Sequence, residues 1–176
     1  NAALDAALYD TQGCLSPQCF FVEQGGPISE KDFARALSDA MQPLDSRLPL
    51  VAVTSEAIEE ESFWQKWRFR ASQGRAQIFR RHVILHSEPH FEPCGLRRAV
   101  FVTPLKNAGH LAMHGGEWMS RISTIAASDA PLLARLKQKF ETRAGIRLCE
   151  IGQMHEPPPW WRNGGINLLG EISRRS

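Results

Sequence analysis

Cys14 is the residue of this chain whose type and setting most favour covalent chemistry. It lies in a polar stretch between Gly13 and Pro17, whereas the other three cysteines lie in or beside apolar runs: Cys19, Cys94 and Cys149. A nucleophilic cysteine must expose its sulfur as a thiolate, and backbone N–H groups of a glycine-containing loop can stabilise that charge and a later oxyanion. The residues alone leave two interpretations open, a nucleophile and an ordinary loop thiol.

A second set of residues has the chemistry of metal ligands. His82, His86, His90 and Cys94 recur at intervals of four, a spacing that would line one face of a helix and suit zinc. The apolar run at 83–85 favours a strand, however, and two prolines interrupt the stretch that follows. We therefore predict that no metal binds there. His110 and His114 also have helical spacing, but Leu111 stands where a zinc protease would carry its glutamate.

Two stretches combine aromatic residues with cations or prolines. Residues 66–70 (KWRFR), with three further arginines, resemble a binder of single-stranded nucleic acid or another polyanion: Arg75, Arg80 and Arg81. A helix end with its aromatic side chains turned inward explains the same residues, and we expect this second arrangement. Residues 157–161 (PPPWW) have the composition of a polyproline ligand, but we expect both tryptophans to pack this tail onto the domain.

The surrounding pattern alternates strands with helices. Helical patterns cover residues 2–8, 29–41, a segment that begins at Thr54 or Ser55 and ends near Gly74, and a segment that Ser128 caps and Gly145 ends. Strand patterns cover residues 18–22, 77–85, 99–102, 122–126 and 146–151, and residues 50–53 form another short apolar run. Such alternation predicts an α/β domain with a mostly parallel sheet and flanking helices, in which Cys14 occupies a helix-to-strand loop.

Composition places the chain among globular proteins. It has 176 residues, 43% hydrophobic and 23% charged, with a formal net charge of +2, so one domain is the natural expectation. The sequence has neither an apolar run of the length that a membrane helix needs nor a signal peptide pattern. We expect a cytoplasmic protein with reduced cysteines.

Three segments of the chain resemble the fatty acyl-CoA reductase family of bacterial bioluminescence, a branch of the aldehyde dehydrogenase superfamily. Residues 10–18 (DTQGCLSPQ) resemble the family's nucleophile segment, residues 97–105 (RRAVFVTPL) its arginine-containing strand, and residues 152–160 (GQMHEPPPW) its closing segment. His155 replaces a more usual glutamine, and Asn163 or Gly164 stands where an aspartate is expected. The match covers nearly the whole chain.

The resemblance implies an aldehyde-dehydrogenase-like catalytic domain over residues 1–176 with Cys14 as its nucleophile. It implies a thioacyl-cysteine intermediate formed from acyl-CoA and reduced with NADPH to a fatty aldehyde. Relatives hold the cofactor mainly in a domain that precedes the cysteine, and the chain has no glycine-rich phosphate loop of the GxGxxG or GxxxxGK[ST] kind. We therefore expect this chain to be the C-terminal catalytic half of a longer enzyme and to be inactive alone.

Two alternatives differ from that interpretation in substrate or in class. A related reductase would act on an acyl phosphate instead of acyl-CoA, and a noncatalytic module would bind a polyanion through the basic residues after Trp67. We rank both below an acyl-CoA reductase that binds an acyl thioester and no nucleic acid. The sequence leaves acyl chain length, NADPH against NADH, and oligomeric state open, a homo-oligomer included.

Overall fold

A four-stranded sheet lies at the centre of the structure, a computed structural model that describes residues 1–50, 57–95, 97–111, 120–140 and 145–161. Its strands are β1 (Cys19–Glu23), β2 (Ala76–Phe79), β3 (Val83–His86) and β4 (Val100–Leu105). The strand order is β1-β4-β3-β2; β4 pairs in parallel with both β1 and β3, and β2 is an antiparallel edge strand. Together with its flanking helices, this sheet confirms the predicted α/β class and its mainly parallel pairing.

Helices cover the two faces of this sheet. Alternating strand residues divide between the faces, so that Val83 and Leu85 join one apolar cluster while Ile84 joins the other. Helices α1 (Ala2–Ala7) and α2 (Glu30–Met41) contribute to the first cluster, and α4 (Ala57–Ser72) contributes to the second. A short helix, α3 (Leu44–Arg47), follows α2.

A second, two-stranded sheet extends the structure. Strands β5 (Thr124–Ala127) and β6 (Arg147–Glu150) pair in parallel, and α5 (Ala130–Phe140) packs against both. A third apolar cluster joins residues of α5 and β5 to Leu105 at the end of β4, with Phe21 of β1 packed against it. The two sheets are thus joined through a continuous apolar contact.

The sequence predicted most of these elements and the start of α2. Ser29 caps α2, where its hydroxyl accepts a hydrogen bond from the Asp32 N–H at 3.1 Å. In α4, acidic residues occupy the first turn and Arg70 the last, which complements the helix dipole as expected. The residues 51–53 and the helix start expected at Thr54 or Ser55 lie outside the described residues, as do His114 and the turn expected at 163–165.

Two details of the secondary-structure prediction were wrong. Residues 77–85 form a hairpin instead of one strand, because Arg80 adopts a left-handed conformation (φ 53°) between β2 and β3. The cap of α5 is Asp129, not Ser128, since the Asp129 carboxylate accepts the Leu132 N–H at 2.8 Å. The hydrogen bond from the Leu132 N–H, and next that from the Ser128 hydroxyl, stabilise the charged form of Asp129 and lower its pKa.

A helix that crosses a membrane must be long and apolar. None of the helices within the described ranges combines the length and the hydrophobicity that crossing a membrane requires.

Candidate functional site

Cys14 lies in the loop between the first helical segment and β1, as predicted. A backbone hydrogen bond from the Ser16 N–H to the Gly13 carbonyl, at 2.9 Å, closes a tight turn around it, and its thiol is exposed. Glycine fits this turn closely, because a Cβ at position 13 would lie 3.0 Å from Ser16 Oγ and 3.2 Å from Tyr9 Cβ and would require these side chains to shift by a few tenths of an ångström. The loop therefore presents the sulfur to solvent from a compact backbone.

The segment that leads into this turn has an uncommon backbone conformation. Tyr9, Asp10 and Thr11 have φ values of 56°, 54° and 62°, which is the left-handed region that side chains other than glycine rarely adopt. Each such residue costs about 1 kcal/mol relative to the right-handed conformation. Other interactions must therefore hold three consecutive residues in this shape.

Two arginines at the start of β4 provide such interactions. The Arg98 side chain is 3% exposed and forms an ion pair with one Asp10 carboxylate oxygen through Nε (3.1 Å) and Nη2, while Arg97 Nη2 lies 3.2 Å from the other. The Arg98 N–H also donates to the Asp10 carbonyl at 2.9 Å and to Thr11 Oγ1 at 3.0 Å. The arginine-containing segment therefore contacts the nucleophile-like segment directly.

The closing segment contacts the same region from another side. Asp5, which is buried in α1, accepts the Gly152 N–H at 2.6 Å, and its carbonyl lies 2.9 Å from His155 Nε2. The ring of His155 lies 5.1 Å from that of Tyr9. Buried Arg147 fixes the segment's shape by donating to its carbonyls, including that of Met154 at 2.7 Å. The closing segment thus contacts Asp5 and Tyr9, while the arginine-containing segment contacts Asp10 and Thr11, so both lie against the residues that precede Cys14.

The second sheet also reaches the Cys14 loop. The Ser123 hydroxyl, one residue before β5, donates a long hydrogen bond of 3.4 Å to the Cys14 carbonyl. Sequence reasoning missed Ser123, Asp5 and Asp10 as site residues. Charge could have indicated the ion pair, because Asp10 and the two arginines lie within segments that carry the family resemblance and a buried charge requires a partner.

The other three cysteines have the surroundings of structural thiols. Burial raises the pKa of the Cys19 thiol, and Cys94 and Glu92 raise it further. Burial also raises the pKa of Cys149, and Cys94 is buried in the cluster beneath α4. Of the four thiols, Cys14 is the exposed one.

The histidines of the suspected zinc set have separate surroundings. His82 Nε2 lies 3.0 Å from Asp45 Oδ2, whereas the His86 ring contacts Trp67 and lies 5.6 Å from the ring of His90. Burial, together with nearby cationic groups, lowers the pKa of His86 to about 4. Within the described ranges, no group of three or more His, Cys, Asp or Glu residues could hold a metal ion, and the absence of zinc stays a prediction.

The basic residues near Trp67 are paired with acidic ones. Four of them lie within 4 Å of a carboxylate: Arg68 with Glu61, Arg70 with Glu92, Arg80 with Asp39, and Arg81 with Glu60. Trp67 is buried as expected, but Phe69 is 65% exposed, so the prediction that both aromatic side chains turn inward was wrong for Phe69. These ion pairs reduce the charge that a polyanion would meet.

The tail was predicted to pack through both of its tryptophans. Trp161 is partly buried, but Trp160 is 74% exposed, so that prediction was wrong for Trp160. The three prolines before it hold the chain away from helical conformation, and Trp160 projects from the surface.

One cavity among the described residues has basic side chains but suits the phosphates of a nicotinamide cofactor poorly. It lies between the turn at Ala108–His110 and α5, and Arg135 and Lys139 in its lining could attract an anion. Glu23 lies beside it: its carboxylate accepts the Ala108 N–H at 3.2 Å and lies 3.5 Å from Arg135. An anion there would meet this like charge, and Arg135 is already paired with it.

Comparison with known families identifies the family of this chain. The model of the acyl-CoA reductase (LuxC) family matches residues 1–175. This chain belongs to that family, which confirms the resemblance inferred from the three segments. No curated protein matches the chain closely enough to count as a relative.

Proposed function

We propose that this chain is the catalytic, cysteine-bearing half of a fatty acyl-CoA reductase, and that Cys14 accepts the acyl group. The observation that carries the proposal is that Cys14 is exposed in a tight turn, and that the other two family-like segments contact residues 5–11 just before it. Family membership supports the reaction class, and the buried surroundings of the other cysteines support the choice of nucleophile.

The reaction assigned to this chain is thioester exchange. The Cys14 thiolate adds to the carbonyl carbon of acyl-CoA, and the resulting tetrahedral intermediate breaks its bond to the CoA sulfur. CoA leaves as a thiolate and takes up the proton that Cys14 released. The acyl group is then held on the enzyme as a thioester.

Reduction of that thioester requires a hydride donor, which in this proposal is NADPH. Because the cavity beside Arg135 and Lys139 suits the cofactor's phosphates poorly and the chain has no glycine-rich phosphate loop, we assign cofactor binding to a nucleotide-binding domain separate from this one. This chain alone should accept an acyl group slowly and make no aldehyde. Loss of a partner domain's oxyanion donor costs on the order of 10²–10³ in rate in comparable sites.

Mass spectrometry of the acylated enzyme tests the proposal. The complete reductase is mixed with acyl-CoA without NADPH, and peptides are searched for the acyl adduct in the native protein, in Cys14→Ala and in Cys19→Ser as the matched cysteine control. We expect one adduct, on Cys14, and loss of at least about 10³-fold in NADPH-dependent turnover in Cys14→Ala alone. An adduct on another residue, or turnover that survives Cys14→Ala, contradicts the mechanism.

The same assay tests the division of labour between domains. This chain alone, supplied with acyl-CoA and NADPH, should consume no NADPH, whereas the complete reductase should. Robust turnover by the isolated chain would overturn the assignment of cofactor binding to another domain.

A further inference from the structure

We infer that Asp10 and Arg98 are positioning residues for acyl transfer, because their ion pair fixes the backbone that places the Cys14 sulfur. The inference rests on the proposed role of Cys14. Neither side chain is assigned contact with the acyl group; both act through the loop between them and the thiol.

The first support is the cost of the loop's conformation. Three consecutive left-handed residues end three positions before Cys14, and none of them is glycine. Because this conformation is unfavourable for such residues, an unsupported segment would relax to other conformations and carry the following turn with it. The shape therefore depends on groups outside the loop.

The second support is that the bonds from Arg98 reach both the side chain and the backbone of this segment. Its guanidinium binds the Asp10 carboxylate, and its N–H donates to the Asp10 carbonyl and to Thr11 Oγ1. Gln18 Nε2 adds a bond to the Thr11 carbonyl at 2.9 Å, from the far side of Cys14. These contacts hold the backbone at Thr11, before Cys14, and connect it to Gln18, after Cys14.

The third support is that Arg98 itself is anchored to rigid elements. It lies two residues before β4, and its Nη1 lies 3.3 Å from Asp45 in α3. Asp45 in turn lies 3.0 Å from His82, next to the start of β3. A chain of polar side chains thus connects the nucleophile loop to the central sheet, and a guanidinium that is this deeply buried is costly unless it is paired.

The surface of the same domain offers a matched comparison. Arg80 binds Asp39 through Nε at 3.2 Å and Nη2 at 3.1 Å, and Arg80 is also left-handed. This pair has the same residue types and the same two-point bonding, but it is exposed and lies on α2 and the β2–β3 turn. Asp39→Asn is therefore the control for Asp10→Asn.

The experiment separates positioning from exposure and from folding. In the complete reductase, acyl transfer is followed as CoA release in the first turnover for Asp10→Asn, Asp10→Ala, Arg98→Lys, Asp39→Asn and Cys14→Ala. Iodoacetamide modification of Cys14 and the thermal unfolding midpoint are measured on the same samples. Acyl transfer needs an aligned sulfur, whereas iodoacetamide needs chiefly an accessible one.

We expect Asp10→Asn to slow acyl transfer about 10- to 100-fold with KM for acyl-CoA changed by less than about threefold, since a displacement of 1 Å at a reacting atom can cost about 10² in rate. Alkylation of Cys14 should change by less than about threefold. Asp10→Ala should be slower still, because alanine tolerates the left-handed conformation less well than asparagine. Arg98→Lys should also slow acyl transfer, because an ammonium cannot form the two-point bond that the guanidinium makes.

Three results would overturn the inference. Acyl transfer at the native rate in both Asp10 variants, with Cys14 still essential, would overturn it while leaving the proposed function intact. An equal loss in Asp39→Asn would show that the effect is not specific to this pair. Acyl transfer that survives Cys14→Ala would overturn the proposed function and this inference together. If Arg98→Lys does not fold, the Asp10 variants decide, because the Asp10 side chain is partly exposed.

Discussion

The Cys14 loop and the aromatic layer beneath α4 differ in whether their buried polar groups are hydrogen-bonded. Around the loop, the buried charged side chains of Asp5, Arg98 and Arg147 are bonded at short distances. In the aromatic layer, Trp64 Nε1, Trp67 Nε1 and His86 Nε2 are buried without a hydrogen-bond partner among the described residues. Directional bonds fix geometry and apolar packing supplies stability, so we expect the loop to govern reactivity and the layer to govern folding.

Truncation of Trp67 should give the largest effect and tests the second half of that comparison. Its indole is fully buried, lies 5.0 Å from the ring of Phe101 and has the Arg70 guanidinium 4.9 Å away. We expect Trp67→Ala to lower the free energy of unfolding by about 3–5 kcal/mol. Urea denaturation provides the measurement.

Phe69→Ala is the control for this truncation because Phe69 lies on the same helix and is exposed. It should change the free energy of unfolding by less than about 0.5 kcal/mol. Similar losses in both variants would show that α4, and not the buried layer, sets the effect.

Selective alkylation tests the first half of the comparison. At neutral pH we expect iodoacetamide to modify Cys14 about 100-fold faster than Cys19, Cys94 or Cys149, because Cys14 is exposed and the others are shielded to different degrees. Peptide mapping after brief exposure gives the order of modification. Faster reaction at Cys94 or Cys149 would contradict the assignment of Cys14 as the reactive thiol.

The pH dependence of stability should report on His86. Its pKa is about 4 in the folded protein and about 6.5 when unfolded, so the unfolded chain binds an extra proton between these values. This group's contribution to stability is present above pH 6.5 and is lost as the pH falls towards 4, by on the order of 2 kcal/mol. Urea denaturation at pH 7 and pH 4.5 measures it.

His86→Gln should remove this part of the pH dependence. His110→Gln is the control because His110 is exposed and lies outside the aromatic layer. A pH dependence that is the same in native protein and His86→Gln would show that His86 does not titrate differently on folding.

Local signals in the sequence predicted the elements, and long-range contacts decided the site. Ser29 and the apolar spacing of α2 identify that helix because both act within a few residues. The break at Arg80 was missed because the turn carries no glycine, the residue that usually marks a left-handed position. Cys14 was singled out from its neighbours in sequence, but the ion pair between Asp10 and Arg98 was not foreseen, because Arg98 lies 88 residues beyond Asp10.

The pairing of β1 with β4 has a consequence for how the nucleophile loop acquires its shape. Cys19 is in register with Phe101, so β1 cannot pair until a segment about eighty residues later in the chain is present. Closing so large a loop costs conformational entropy before any contact offsets it, and topologies of this kind assemble slowly. The support that Arg98 gives to the Cys14 loop is therefore absent until that later segment has been synthesised. Until then the Cys14 thiol is present without the loop geometry that aligns it.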